Sequence, residues 1–173
     1  MPYGASGGAR RVNMASLLRL RGLTLALPLL FCLHVAEEAP AFVIWFNSLV
    51  HPPISQRLFL SVNGWALAIT LLVTAMLLAV PNEVTGLLGV AWVAFLMLAN
   101  GLFHGVATLV HARYCPGVVT GTLLYVPFAV AFIRAVKREL NVSGASIAVA
   151  VVVGSIPMLV HGYLIVFRGS RLF

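Results

Sequence analysis

Residues 31–46, FCLHVAEEAPAFVIWF, lie within an apolar run and contain one histidine and two adjacent glutamates. The chain has only four acidic residues, so Glu37 and Glu38 supply half of its acidic charge. An ionised carboxylate near the centre of a bilayer costs about 2.5–3.5 kcal/mol on insertion scales. Ionisable groups at such depth are expensive, and they mark functional sites by default. We therefore take this segment as the starting point for both the fold and the site.

The composition is typical of a membrane protein. Of the 173 residues, 61% are hydrophobic and 9% are charged, with a mean hydropathy of +1.05, whereas soluble domains are about half apolar and a quarter charged. The net charge of +7 does not indicate nucleic-acid binding, because the basic residues lie in short loops and tails between apolar runs. The length is enough for one domain.

Five apolar stretches are long enough to cross a bilayer, which takes about 20 residues each. Nothing alternates with a period of two, and the bilayer requires internally bonded backbone, so the prediction is an all-α, polytopic transmembrane helix bundle. We place a basic N-terminal tail at residues 1–22, with residues 1–13 disordered, and a single transmembrane domain at residues 23–168. The first run is too long for the core of a signal peptide. The five predicted spans are residues 23–46, 58–80, 84–110, 118–136 and 145–167.

The distribution of basic residues predicts the orientation. Arginine and lysine are enriched in cytoplasmic loops, and the N-terminal side carries seven of them against four on the other side. We therefore expect an integral protein of the bacterial plasma membrane with a cytoplasmic N-terminus and an external C-terminus.

Polar residues of the first predicted span share one helix face. His34, Glu37 and Glu38 are spaced i, i+3 and i+4, which places them on one side at 3.6 residues per turn. Pro40 cannot donate to the carbonyl of Ala36, so we expect it to kink this helix beside the glutamates.

Spans one, three and five run in the same direction, so depths can be compared by counting from the start of each. At a rise of about 1.5 Å per residue, His34 lies roughly 17 Å in, Glu38 roughly 23 Å, His161 roughly 24 Å and His104 roughly 30 Å. Asn100 shares a helix face with His104. With a hydrocarbon core about 30 Å thick, these residues are predicted to meet in one layer in the far half of the membrane.

Histidine combined with glutamate favours a transition metal over magnesium or calcium. We predict a site for zinc or iron in which three histidines supply nitrogen and Glu38 or Glu37 acts as a ligand or base. A glutamate in an apolar pocket would also hold a proton and could shuttle it. The substrate of such an intramembrane site is expected to be a membrane lipid or another lipophilic small molecule. The predicted metal ligands are His34, Glu38, His104 and His161, and the predicted catalytic residues are Glu37, Glu38, Asn100 and Tyr114.

Other classes of function stay open on the sequence alone. If the site binds a metal, the protein would be a metal-dependent membrane hydrolase or oxidoreductase. A proton-coupled carrier or channel would instead use Glu37 and Glu38 as a relay. Five spans leave no room for an inverted repeat, although a homo-oligomer would supply one. A structural protein would use the polar layer to fix helix packing. Asn100 then reads as a packing amide, and Tyr114 as an aromatic at the membrane interface.

Three short motifs resemble those of the HXXEE family of small prokaryotic membrane proteins. They are HVAEE at residues 34–38, NGLFH at residues 100–104 and YCPG at residues 114–117. The resemblance extends over about residues 24–168. It implies a membrane protein with an enzymatic site of unestablished reaction. The positions that the resemblance marks as functional are His34, Glu37, Glu38, Asn100, His104, Tyr114, Pro116 and Gly117.

Overall fold

Six helices make up the part of the chain described by the structure, a computed structural model that covers residues 14–172, with side chains from Leu18 onward. Short loops join them, and within those residues no strand forms. The helices are α1 (Met14–Glu38), α2 (Phe42–Asn47), α3 (Gln56–Ala79), α4 (Glu83–His111), α5 (Val118–Glu139) and α6 (Gly144–Arg168).

All helices except α2 are long and apolar enough to cross a membrane. The predicted all-α bundle with five spans is therefore confirmed. Helix α1 begins at Met14, so residues 14–22, which we assigned to the basic tail, are helical. The predicted disorder of residues 1–13 lies outside the described residues.

The predicted first span is wrong at its C-terminal end. Helix α1 ends at Glu38, and α2 is a separate helix. Pro40 breaks the helix instead of kinking it, because proline has no N–H to continue the hydrogen-bond ladder. The N–H of Ala41 instead donates to the carbonyl of Glu38 at 3.1 Å. Both glutamates therefore lie in the last turn of a membrane helix, where the helix dipole disfavours negative charge and partners are needed.

Three of the helices begin at residues whose side chains cap them. Ser55 accepts a hydrogen bond from the N–H of Leu58 at the start of α3. Ser143 accepts one from the N–H of Ser146 at the start of α6. Asn82 and Thr85 form a reciprocal capping box at the start of α4. Such caps satisfy the otherwise unpaired first N–H groups of a helix.

Two π-helical turns lie where α4 and α5 meet. They span Ala94–Ala99 in α4 and Gly121–Tyr125 in α5. Just beyond the first, Gly101 is so close to α5 that a Cβ there would lie 2.5 Å from the carbonyl oxygen of Gly121. Small residues permit this backbone-to-backbone approach in membrane bundles, and π-turns often occur at functional sites. The contact holds the polar face of α4 against the start of α5.

The packing partners of the helices leave one seam open. Helix α3 packs against α1 and α4, and α6 packs mainly against α4. Helices α3 and α6 share no comparable interface. Two apolar clusters fill the bundle, one around Leu27, Val90 and Phe132 and one around Trp45 and Phe103.

The Gly101 approach predicts a specific loss of stability. In Gly101→Ala the new methyl group meets a backbone carbonyl that cannot move aside, so we expect a loss of about 1–3 kcal/mol, as for overpacked cores. Gly64→Ala is the control, because a Cβ at Gly64 would meet nothing within 4 Å. Equilibrium unfolding of the detergent-solubilised variants measures both. Equal stability of the two variants would contradict the close approach.

Candidate functional site

Three side chains converge at the end of the bundle where α1 terminates. His34 and Glu38 come from α1 and His104 from α4, and all three are buried, with exposed fractions of 1%, 6% and 0%. One potential metal-ligand atom from each lies within 4.8 Å of the others. Glu38 Oε1 lies 3.2 Å from His104 Nε2 and 3.6 Å from His34 Nε2. We call this set the His–Glu–His cluster.

The ring of His34 is held on its other nitrogen by Thr120. His34 Nδ1 lies 2.7 Å from Thr120 Oγ1, and the Thr120 hydroxyl donates to Glu37 Oε2 at 2.6 Å. A hydroxyl has a single proton to donate, and Thr120 donates it to Glu37. Thr120 Oγ1 must therefore accept the hydrogen bond from the Nδ1–H of His34. The neutral ring therefore presents a lone pair at Nε2, where the side-chain amide of Asn100 donates at 3.1 Å.

His104 is held in the same way by Cys115. Its Nδ1 lies 3.2 Å from Cys115 Sγ, and the thiol lies 3.8 Å from the carbonyl oxygen of Pro116. Burial raises the pKa of the Cys115 thiol, so the thiol keeps its proton. When that proton points to the carbonyl oxygen of Pro116, the sulfur accepts from Nδ1–H and the lone pair of His104 lies at Nε2, which is the state that metal binding requires. Nε2 is buried and lies 3.2 Å from Glu38 Oε1, without a hydrogen bond aligned between them.

The cluster thus brings three potential electron-pair donors together. Nε2 of His104 and Nε2 of His34 lie 3.2 and 3.6 Å from Glu38 Oε1, and the amide of Asn100 already donates to Nε2 of His34. Ligand atoms at about 2.0–2.1 Å from a tetrahedral zinc lie roughly 3.3 Å apart. The two distances to Glu38 Oε1 are therefore close to those in a site for a single transition-metal ion.

Glu37 points away from the cluster. Its carboxylate accepts from the N–H groups of Gly117, Val119 and Thr120 at 3.0, 3.1 and 2.7 Å. The hydroxyls of Tyr114 and Thr120 donate to it as well. Three of these donors are the unpaired N–H groups that open a helix, a favourable place for an anion. The structure therefore does not bring Glu37 into the predicted metal set, nor into the apolar pocket that a proton shuttle would need.

The loop before α5 is shaped around both histidines. Gly117 has a φ of +99°, which favours glycine. A Cβ at this position would also lie 2.6 Å from Cε1 of His104 and 2.9 Å from Cε1 of His34. Tyr114 of the same loop binds Glu37 at 2.7 Å, and this bond raises the pKa of Tyr114 to about 12. Each part of the YCPG motif therefore contacts either the histidines or the residues that hold them.

A cavity of about 180 Å³ adjoins the cluster. His34, Glu38 and Asn100 lie in its wall, and the rest of the lining is mostly aromatic or aliphatic. Helix α2 covers one side, with the ring of Phe42 centred 6.0 Å from that of His104. The aromatic residues in the wall are Phe31, Phe42, Phe46, Phe59, Phe95 and Phe103.

His161 lines this cavity but is not in the His–Glu–His cluster. Its Nδ1 accepts a hydrogen bond from the N–H of Leu172 at 3.2 Å. A neutral ring with Nδ1 as acceptor carries its proton on Nε2, so neither nitrogen presents a lone pair to a metal ion. The depth argument predicted His161 in the layer of the cluster, and His161 does line the adjoining cavity, but a position along an axis does not fix the direction of a ring.

Sequence reasoning missed several contributors to this site. It gave no role to Thr120, and it did not predict the contact of Cys115 with His104. Tyr125, whose ring is centred 4.3 Å from that of His34, was not singled out either. The signal for Thr120 was its place in the first turn of a helix that begins with the YCPG motif. No signal marked Tyr125, which reads as an ordinary aromatic of a span.

Fold and site together define a class: a five-span helical bundle with a buried His–Glu–His cluster at one end. The sequence model of one family, described as a protein of unknown function with an HXXEE motif, matches residues 25–132. The chain belongs to this family, and the matched segment includes all three motifs. Comparisons with curated proteins and with solved structures gave no match.

The contacts of Glu37 predict a local effect of its substitution. In Glu37→Gln an amide NH₂ faces backbone N–H donors, so we expect a loss of about 1.5–3 kcal/mol, the range for hydrogen bonds to a charged group. Hydrogen–deuterium exchange should rise at the amides of Gly117, Val119 and Thr120. Glu38→Gln is the matched control, because Glu38 touches the histidines and none of these amides. Equal exchange in both variants would refute this role.

Proposed function

We propose that the protein is an integral membrane enzyme that binds one divalent transition-metal ion, zinc or iron, and acts on a lipophilic substrate. The observation that carries the proposal is the spacing of the His–Glu–His cluster, in which one potential ligand atom from each of three buried side chains lies within 4.8 Å of the others. Two histidines and one carboxylate form the ligand set of zinc hydrolases of the thermolysin type. The same set holds iron in non-haem oxygenases.

Each side chain of the site has a role in this proposal. His34, Glu38 and His104 would hold the ion, while Thr120 and Cys115 orient the two rings through their Nδ1 atoms. The amide of Asn100 would release Nε2 of His34 when the ion binds. Such supporting contacts fix the tautomer and raise the basicity of a metal-bound histidine. When bound, zinc would supply an activated water, and iron would supply oxidation chemistry.

The cavity beside the cluster would receive the substrate. Its aromatic lining excludes water and favours an apolar group. His161 lies in the wall of this cavity and would contact the substrate rather than the ion, which is a different role from the ligand role we first predicted. Tyr114 and Glu37 would act indirectly, by holding the start of α5 against the rings.

We also propose a location for the chemistry. The excess of basic residues on the N-terminal side supports a cytoplasmic N-terminus in a prokaryotic plasma membrane. The site is at the opposite end of α1, so it would face the outer leaflet. Lipophilic molecules reach this depth along the bilayer, without passing through water.

Metal content is the first test. Elemental analysis by ICP-MS of detergent-purified protein should find about one zinc or iron ion per chain, and Glu38→Gln and His104→Ala should lose it. Glu83→Gln and His51→Ala are matched controls, because both residues are exposed and lie outside the cluster. Full metal content in both cluster variants would sink the metal proposal.

A second test addresses the support of His34. Thr120→Val keeps the shape of the side chain but removes the acceptor of Nδ1–H, so the metal dissociation constant should rise about 10–100-fold. Thr122→Val is the control, since its hydroxyl bonds only the carbonyl of Val118 within its own helix. Competition titration with a chromophoric chelator measures both. An unchanged constant in Thr120→Val would exclude a positioning role.

A proton-coupled carrier is the second candidate, and one observation favours it. A continuous chain of hydrogen bonds runs from Tyr114 through Glu37 and Thr120 to His34. The interior of the bundle beyond the site is packed with the apolar cluster around Leu27 and Phe132. These residues give the chain of hydrogen bonds no continuation across the membrane. Proton flux in liposomes that Glu38→Gln abolishes, together with an absence of metal, would favour the carrier.

A further inference from the structure

The seam between α3 and α6 is a long apolar groove. It contains the 180 Å³ cavity beside the His–Glu–His cluster and a second cavity of about 540 Å³ towards the other end of the bundle. Phe95 of α4 lies in the wall of both cavities. Helix α4 forms the floor, because α3 and α6 both pack on it but not extensively on each other.

Each flanking helix presents one stripe of side chains to the groove. On α3 the stripe advances by three or four residues per step, which is the spacing of one helix face. From Leu58 to Met76 it rises roughly 27 Å, at about 1.5 Å per residue, close to the hydrocarbon thickness of about 30 Å. The stripe on α3 is Leu58, Val62, Ala66, Ile69, Val73 and Met76. The stripe on α6 is Val153, Pro157, His161 and Ile165.

The groove is reachable from the side. Val62 on α3 is 45% exposed and Val153 on α6 is 60% exposed, although both line the cavities. In a membrane this exposure is to lipid tails. Because its walls are mostly apolar away from the cluster, the groove suits a hydrocarbon chain lying roughly along the membrane normal.

The two ends of the groove differ in charge. At the cluster end the lining includes Glu38, which faces the two histidines of the cluster, together with His161 and Arg171, the one arginine or lysine among the residues that line either cavity. At the far end the lining has no charged residue. Because Glu38 is directed at the histidines, the guanidinium of Arg171 is left to complement a negative charge on a ligand, and arginine matches a carboxylate with two parallel donors.

We propose that the groove binds a long-chain carboxylate that enters sideways from the bilayer. Its chain lies between α3 and α6, and its carboxylate lies at Arg171 beside the His–Glu–His cluster. This inference rests on the proposed function only in taking that cluster as the reacting centre. It adds the substrate class and the route of entry.

Photolabelling tests the groove directly. The probe is hexadecanoic acid with a diazirine at mid-chain, added to the purified full-length protein in nanodiscs, and labelled residues are mapped by mass spectrometry. We expect labels on the two stripes, with competition by hexadecanoic acid but not by hexadecyltrimethylammonium. Arg171→Gln should weaken labelling by the acid probe about fivefold and leave labelling by the matching alcohol probe unchanged.

Filling the groove provides the matched pair of variants. Val73→Trp places a large ring in the groove and should reduce labelling at least about fivefold, because several methylene groups lose burial. Leu72→Trp places the same ring on the lipid-facing side, where Leu72 is 59% exposed and lines neither cavity. Met76→Trp is a second filling variant in case Val73→Trp does not fold. Equal labelling in the filled and control variants would overturn the proposal.

Two further outcomes distinguish a fatty acid from a second copy of the chain in the groove, and the groove proposal from the metal proposal. Cross-links that join α3 of one copy to α6 of another would mean that a second copy of this chain fills the seam, and would overturn the proposal. Labelling of Glu38→Gln tests the groove without the metal. Intact labelling of a wild-type protein that contains no metal would refute the proposed function and support the groove, and a wild-type protein with metal but without labelling would do the reverse.

Discussion

The bond network of Glu37 is the constraint on which the site depends. The carboxylate lies in the last turn of α1 and satisfies N–H groups at the start of α5, 80 to 83 residues later in the chain. It thereby offsets two unfavourable situations, a negative charge at a helix C-terminus and unpaired donors at a helix N-terminus within the membrane. Thr120, held by the same carboxylate, fixes the tautomer of His34. The electronic state of the cluster therefore follows from a capping interaction.

Adjacent carboxylates have opposite tasks in this structure. Consecutive helical residues point about 100° apart, so Glu37 faces the loop before α5 while Glu38 faces the histidines. The repulsion that makes two neighbouring glutamates expensive is reduced, because each has its own partners. This answers why an apolar segment retains both: one holds the scaffold and the other completes the cluster.

The sequence predicted the number of spans and the meeting of His34, Glu38, Asn100 and His104, because hydropathy and helical spacing are local properties. It did not predict the end of α1 at Glu38, since a proline two residues later is compatible with either a kink or a break. The exclusion of His161 depends on its bond to Leu172, and the role of Thr120 depends on a contact between distant helices. Contacts of this kind are set by packing, which the period of a sequence does not encode.

The close approach of Gly117 to the rings of His34 and His104 links parts of the chain that lie far apart in sequence. A side chain at position 117 requires both rings to move, and a larger group in place of either ring requires the loop to move. A single substitution at position 117 or at either histidine therefore cannot be accommodated without a change in the other segments. The three short motifs therefore form one structural unit, and a transplant of HVAEE into another bundle without NGLFH and YCPG would carry the residues but not the site.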